Sequence, residues 1–406
     1  MGRLLFLCHR IPFPPDKGDK IRAWHMLDHL AGSWDVELGC LVDDPADLDH
    51  LPMLRSRCAA VEARPTGSRR QAALRAILRA RPGQPLSLGW FHDARLRAWA
   101  DAGLAARRYD AVFVYSSAMA PYAGHLLGPR RVLDMVDVDS EKWRAYAQGA
   151  AAPMRQIWSR EARTLLAFER RIALGFDRTL FVSAAEAAQF RALAPESADR
   201  VDHVDNGVDL ARFDPEQRGA SPYAHGTPVI VFTGTMNYRP NVEAVCFFAR
   251  EVMPLLAGRE AGVAFHIVGN SPAPAVRALA DLPGVTVTGP VADIRPYIGH
   301  AAVAVAPLRI ARGIQNKVLE AMAMARPVVA SPEAFEGVRA LPGRDLLVAE
   351  GAAAMARAVS DVLDGRHASM GAAARAAVLS GHDWASTLLR LDQAMRPEAA
   401  LAHVLA

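Results

Sequence analysis

Short apolar runs recur along this chain, each followed by a polar loop and then a stretch in which apolar residues return every third or fourth position. That rhythm predicts strands alternating with amphipathic helices. The first run, 3–8, passes into a Pro-rich loop over 12–18 before helical spacing begins near Asp19. Runs at 36–42, 111–115, 131–136 and 179–182 predict further strands, and 153–174 predicts a long helix. Asn206-Gly207 is a strong turn signal, and the Pro-, Gly- and Ser-bearing stretch 214–228 follows it. The alternation then resumes, with strands predicted at 229–232, 263–268, 285–288, 302–306 and 327–330. Helices are predicted at 241–256, 274–282, 294–300 and 316–325, with terminal helices beyond. The predicted architecture is α/β: two doubly wound, Rossmann-like domains facing one another across a cleft, at 1–205 and 206–385, with a C-terminal helix or tail at 386–406. Ligands on such sheets bind beyond the carboxyl ends of the strands, so the cleft is the expected active site.

Composition changes this picture little. The 406 residues are 51% hydrophobic and 22% charged, enough for two sizeable cores. Forty-seven Lys+Arg against 43 Asp+Glu leave +4, too even a balance for a protein that coats a polyanion, so nucleic acid is not an expected partner. Charge is uneven along the chain, however. Arginines crowd the stretch 55–108, where the only acidic residues are Glu62, Asp93 and Asp101. That stretch is a candidate contact for an anionic inner membrane, with a merely solvated surface as the alternative. No apolar run approaches the roughly 18 residues of a membrane span. The four cysteines are scattered without C-x-x-C spacing, which reads as reduced thiols in a cytoplasmic protein, peripheral at most.

Candidate chemistry concentrates in 307–330. A predicted strand ends at Pro307, a polar loop containing Gly313 follows, and a helix begins at Asn316 whose only charges, Lys317 and Glu320, share a face. An unpaired buried carboxylate is very costly. Either Lys317 pairs with Glu320, or Glu320 accepts hydrogen bonds from sugar hydroxyls while Gly313, Asn316 and Lys317 meet a phosphate at the helix start. In the first domain, Lys17, Gly18 and Lys20 set cations against the dipole of a helix N-terminus, which is unfavourable unless an anion binds there. Local neutralisation by Asp16 and Asp19 is the alternative. Asp137 and Asp139 follow the predicted strand 131–136; such a pair can hold a divalent metal, orient or deprotonate a hydroxyl, or cap the next helix. Ser183 and Glu186 read as a capping box. The histidines lack metal-ligand spacing, and no nucleophile elbow or Walker loop is present, which disfavours hydrolase and P-loop readings.

Several segments carry a resemblance. Asn206-Gly-Val-Asp209, Phe232-Thr-Gly-Thr235, Ile267-Val-Gly269, Val287-Thr-Gly289-x-Val291-x-Asp293 and Leu319-Glu-Ala-Met-Ala followed by Arg326-Pro-Val-Val resemble the retaining, family 4 glycosyltransferases of the GT-B fold. His9-Arg-Ile-Pro-Phe-Pro-Pro-Asp-Lys-Gly-Asp-Lys20, Val136-Asp-Val-Asp-Ser-Glu-Lys-Trp143 and Gly313-Ile-Gln-Asn-Lys317 resemble, more narrowly, the sugar transferases associated with exosortase-type exopolysaccharide systems of bacteria.

The resemblance implies a nucleoside-diphosphate-sugar as co-substrate, a glycan or lipid-linked acceptor, a role in exopolysaccharide biosynthesis, and neither metal nor further cofactor. It puts Gly269, Asn270, Val291 and Asp293 around the nucleotide base and Glu320 on the ribose. Gly234, Arg239, Arg312, Gly313, Asn316 and Lys317 fall around the diphosphate, Gly18 and Lys20 near donor phosphates or acceptor, and Asp137 and Asp139 on the acceptor side. Two departures stand out. The first carboxylate of the family's Glu, seven residues, Glu motif falls on Arg312, and the two diphosphate-gripping cations fall on the neutral Thr235 and Asn241. Arg239, Arg312 and Lys317 are the expected replacements in a rearranged clamp. A non-catalytic nucleotide-sugar-binding or assembly protein, or an epimerase on the same fold, are the alternatives.

Overall fold

In the computed structural model, which describes residues 1–124, 128–224, 226–258, 262–311 and 313–397, the apolar runs become the strands of two sheets whose strand pairings, among the described residues, are all parallel. The first sheet runs in the order β3-β2-β1-β4-β5-β6-β7. Its strands are β1 (Gly2–Cys8), β2 (Trp34–Val42), β3 (Ala60–Pro65), β4 (Ala111–Tyr115), β5 (Arg130–Val136), β6 (Arg178–Phe181) and β7 (Val201–His203). Parallel sheets carry helices on both faces, so their central strands are apolar on both sides. β1 shows this directly: Leu5 and Leu7 enter one core while Phe6 meets Phe113 of β4, ring centroids 4.9 Å apart.

The second sheet runs β10-β9-β8-β11-β12-β13, from β8 (Val229–Thr233), β9 (Ala264–Val268), β10 (Val285–Gly289), β11 (Val303–Ala306), β12 (Val328–Ala330) and β13 (Leu347–Val348). The strand order of each sheet reverses where doubly wound sheets bind ligands, between β1 and β4 and between β8 and β11. The chain divides into two compact units, Asn206–Thr387 and a first unit of Met1–Asp205 joined by the chain from Leu388 onward. Within the expected tail, residues 388–397 therefore belong to the first unit: Ala394 O accepts from Arg130 Nε at 3.1 Å, and Asp392 Oδ1 lies 2.8 Å from His29 Nε2.

Several elements differ from expectation, each for a local reason. β3 alternates polar and apolar residues at the sheet edge, and β7 and β13 have only three and two residues, too short for any periodicity to show. The helix expected over 241–256 is Arg239–Phe247, then a widened turn over Phe248–Val252, then Met253–Leu256. Pro254 has no amide to continue the ladder, which breaks the regular helix there. The helix Arg69–Leu78 buries only Ala72 and Ala76, and Ala94–Ala105 buries Leu96, Ala100, Gly103 and Leu104, short faces interrupted by arginines in a stretch read for its charge. Cys8, Cys40 and Cys58 are buried free thiols and Cys246 is a half-buried one. Among the described residues no helix is long and apolar enough to cross a membrane.

One polar contact fixes the first sheet's helix layer. Arg22, on the helix Gly18–Ala31, is fully buried and donates from Nε and Nη2 to Asp134 Oδ2 of β5 at 3.0 and 2.7 Å. Its Nη1 donates to Val204 O at 2.7 Å, just past β7. Asp134 accepts in turn from Val136 N at 2.8 Å, so the pair is satisfied at both ends. Removing one partner of such a pair strands a buried charge. Arg22→Leu is therefore expected to cost about 3–5 kcal/mol of stability, read as a lowered midpoint in thermal denaturation; an unchanged midpoint would show that the pair contributes nothing.

Candidate functional site

In the second unit the site is built where β8 and β9 end. Gly234 follows β8 at φ +155° and Gly269 follows β9 at φ +151°. A Cβ on Gly269 would lie 1.8 Å from Gly234 O, and one on Gly234 would lie 2.7 Å from Asn241 Nδ2. No side chain fits at Gly269, and one at Gly234 would be strained by its φ and would displace the Asn241 amide. Gly234 N donates to Val268 O at 3.1 Å and Met236 N to Asn270 O at 2.9 Å, which locks the two loops together. The Asn270 Oδ1 is enclosed without a hydrogen-bond partner among the described residues.

Over this glycine pair stands the start of the helix Asn316–Ala323. Its N-cap, Gln315, makes no side-chain cap. Lys317 donates to Asn241 Oδ1 at 3.1 Å and lies 5.3 Å above the Phe232 ring of β8. Asn241 is held by its own Nδ2, which donates to Thr235 O at 3.0 Å. Lys317 thus turns to a neutral amide and an aromatic face rather than bonding Glu320, one turn further along. Loss of water pushes its ammonium down to about 8, only partly opposed by the Glu320 charge. Burial likewise pushes the Glu320 carboxyl up to about 7, against the pull of Lys317 and Arg212. A cation satisfied by neutral partners keeps its charge available to an anion.

The other expected donor residues are distributed differently. Asn316 Oδ1 accepts from Asn206 Nδ2 at 3.2 Å, which ties the helix start to the Asn206-Gly207 turn. Gly313 adopts φ +59° in the loop before it, and Arg312 lies outside the described residues. Arg239 is engaged elsewhere: its Nε donates to Glu243 Oε1 at 2.7 Å, one turn along its own helix. The Asp293 carboxylate is committed to Arg295, whose Nε and Nη2 approach its oxygens at 2.8–3.0 Å and whose amide it also accepts. It therefore offers a base reader little. Val291 packs half-buried against the second unit's core.

In the first unit, Lys20 corrects the expectation of a free cation. Its ammonium is fully buried, 2.7 Å from Asp47 Oδ2 and 3.4 Å from Asp16 Oδ1, so local carboxylates neutralise it. Asp19 pairs instead with Arg10, and Gly18 opens the helix with no side-chain cap from Lys17. Asp47 was unexpected because it comes from a separate short helical turn, Pro45–His50.

Asp137 and Asp139 sit where β5 ends in a strained turn. Val136, β-branched, is held at φ +69°, a conformation such residues rarely adopt. Val182 N holds its carbonyl at 2.8 Å, and the register against β6 shifts there. Neither Asp caps the following helix. Its N-cap is Val138, and in its first turn Glu169 accepts from Ser140 N at 3.2 Å and from the Ser140 hydroxyl at 2.5 Å. Ser183 does cap its helix, accepting from Glu186 N at 3.2 Å, while Glu186 Oε2 accepts from Val138 N at 2.8 Å. Burial, with Glu186 and Asp139 nearby, pushes the Asp137 carboxyl up to about 7 despite Lys142. Lys142 lies 3.8 Å from Asp139.

Comparison with known proteins bears on this geometry. Residues 227–365 match the family model of "Glycosyl transferases group 1", a stretch that contains Gly234, Gly269, Lys317 and Glu320. No curated protein sequence matches the chain. Among solved structures it is similar to sucrose-phosphate synthase of Thermosynechococcus elongatus, at TM-score 0.70 and 18% identity over 96% of this chain and 98% of that one. It is similar also to Anabaena HepE in complex with UDP and glucose, at 0.66 and 14% over 97% and 99%. The α,α-trehalose 6-phosphate synthase of Burkholderia multivorans gives 0.66 and 14% over 99% and 100%. The fold is accordingly the two-domain α/β fold of these proteins, GT-B.

The two titrations act in one direction on a bound anion. Raising pH through about 7 charges Glu320, and through about 8 it discharges Lys317, so affinity for a pyrophosphate diester is expected to fall as pH rises. Calorimetry at about pH 6.5 and about pH 9 should show at least about a tenfold loss. A flat profile would remove Lys317 from the anion site.

Proposed function

We propose that this chain, a glycosyltransferase by its group 1 domain and GT-B fold, moves a sugar from a nucleoside-diphosphate-sugar to a glycan or lipid-linked acceptor, with retention of configuration, in assembling a bacterial surface polysaccharide. The observation that carries the donor reading is Lys317: a desolvated cation held by a neutral amide and a ring, beside two glycines and at an uncapped helix start. The glycines let a diphosphate approach the backbone, and the helix amides and Lys317 meet the negative charge that grows on the leaving group as the glycosidic bond breaks. Glu320, buried and poised near neutrality, accepts hydroxyl hydrogen bonds from the nucleotide's ribose. The complexes of HepE with UDP and with UDP-glucose support a uridine nucleotide as the first donor to try.

The polysaccharide role rests on the sequence resemblance of 9–20, 136–143 and 313–317. A lipid-linked acceptor would place the enzyme at the inner membrane, in keeping with the arginine-rich stretch 55–108.

Thermal-shift titration with UDP-glucose and related nucleotide sugars tests the donor site. Stabilisation at saturating donor should follow mass action, about 2.7 kcal/mol at a hundredfold excess over Kd. Lys317→Ala and Glu320→Ala should each weaken binding about tenfold or more, the loss of a charge-assisted contact. Full donor stabilisation in both variants would sink the assignment. A nucleotide sensor is the second reading, favoured by the neutral Thr235 and Asn241; donor binding with no transfer to any acceptor in a broad panel would select it.

On the acceptor side, the strained turn after β5 holds Asp137 where its carboxyl, near neutrality, can accept a proton from an acceptor hydroxyl. Asp137→Asn should leave donor stabilisation intact and lower the transfer rate about a hundredfold. A rate within a factor of about three of wild type would exclude Asp137 from proton transfer.

A further inference from the structure

The helix Arg69–Leu78 is packed the wrong way round for a helix of a water-soluble core. It buries only Ala72 and Ala76. Gly89 lets the short helix Ser87–Trp90 abut it so closely that a Cβ at Gly89 would lie 2.7 Å from Ala76 Cα. The larger side chains point out: Leu74 is 56% exposed, Ile77 67% and Leu78 75%. Their spacing, i, i+3 and i+4, sets them on one stripe opposite the alanines. A hollow of about 380 Å³ runs beside the stripe, lined by Leu74 and Leu78 together with Arg75. Arg69, Arg70, Arg79 and Arg81 are exposed around it, and no carboxylate among the described residues forms an ion pair with any of them. From Ala63 to His92 the chain has no Asp or Glu at all.

A second segment of the same unit has the same character. The start of the helix Met154–Ala173 exposes Met154 and Ile157 beside Arg155. That helix is tied to the chain just after Arg81: Glu161 accepts from Leu86 N and Ser87 N at 2.8 and 2.9 Å, and Arg160 donates to Gln84 O at 3.1 Å.

We propose that the helix Arg69–Leu78, with its flanking arginines, docks on an anionic lipid bilayer and sinks Leu74, Ile77 and Leu78 into the headgroup boundary. Apolar residues on one stripe and unpaired arginines at its margins are the two terms from which interfacial helices draw their binding. A soluble acidic partner would account for the arginines and leave the stripe of branched aliphatics unexplained. The proposal deepens the membrane-proximal part of the proposed function and is separable from its donor site.

The test is flotation of the full chain with vesicles of phosphatidylcholine alone or with about one-third phosphatidylglycerol. Binding is expected to the anionic vesicles only, weakening as salt rises. The triple variant Leu74→Ser, Ile77→Ser, Leu78→Ser should partition at least about tenfold more weakly. Replacing Arg69, Arg70, Arg79 and Arg81 by Gln should reduce binding to the level on phosphatidylcholine and abolish its salt dependence. Both variants should keep the thermal shift given by UDP-glucose, which shows that they fold and separates this outcome from failure of the donor site. Absence of binding to anionic vesicles at low salt overturns the proposal, as does a triple variant that binds like wild type. A change in the triple variant's oligomeric state without vesicle binding also overturns it, because the stripe would then pair two copies of the chain.

Discussion

The second unit's site depends on a steric constraint: the backbones leaving β8 and β9 converge until the Gly234 carbonyl occupies the space where any side chain at Gly269 would begin. Adjacent parallel strands deliver their carboxyl ends to the same edge, so two loops must turn there within one strand spacing. Glycine at both positions lets them turn with φ near +150°, and the result is a floor of bare peptide. Everything else in the site is arranged above that floor. Asn241 reaches down to Thr235 O, Lys317 reaches Asn241, and the Phe232 ring lies beneath the ammonium. A larger residue at Gly269 would separate the loops, and one at Gly234 would push aside the Asn241 amide that holds Lys317.

Two lysines of this chain, Lys20 fully buried and Lys317 half-buried, show why residue type alone underdetermines a site. Each stands in the first turn of a helix that follows a strand and a loop, and for each the sequence offers a carboxylate nearby as a partner. Lys20 is held between Asp47 and Asp16, and its charge is spent within the fold. Lys317 has an amide and a ring, partners that hold an ammonium without cancelling it. The difference lies in Asp47, which arrives from a turn 27 residues away, and in Asn241, 76 residues away from Lys317. Neither distance is visible to a local reading. By sequence, Asn241 is a neutral residue where the resemblance implies a cation. The structure gives that neutrality a use, since a cation at Asn241 would repel Lys317.

The fold was far more legible than the site, and the reason is periodicity. Central strands such as β1, β4, β8 and β11 are buried on both faces and therefore read as unbroken apolar runs. β3 at a sheet edge, and β7 and β13 with three and two residues, carry no such run. The domain boundary at Asn206 was marked by turn chemistry, whereas the return of the chain to the first unit at Leu388 was not. That return depends on side chains meeting residues far back in sequence, Asp392 with His29 and Ala394 with Arg130. The pairing of Asp293 with Arg295 was hidden for the opposite reason: the partners are two residues apart, and spacing that close reads equally well as two solvated charges.

Backbone strain was the least legible feature of all, because sequence marks the left-handed region only where glycine or asparagine stands there. Val136 gives no such warning, yet it is fixed at φ +69° by three independent bonds: its amide on Asp134, its carbonyl under Val182, and the Asp137 amide on Met135 O. Asp134 is in turn held by Arg22, so the strain at the end of β5 is maintained from the helix on the other side of β1. Ser116, at the end of the neighbouring β4, is also at positive φ, and its amide donates to Asp134 O at 2.7 Å. Two strained non-glycine residues on adjacent strand ends thus both bond Asp134, Val136 through its carboxylate and Ser116 through its main-chain carbonyl. Strain of this kind costs about 1–3 kcal/mol per residue and persists only where the surroundings over-determine it. The buried Arg22–Asp134 pair therefore does more than join a helix to a sheet: it holds the turn that brings Asp137 to the strand ends, half-buried and with its carboxyl near neutrality.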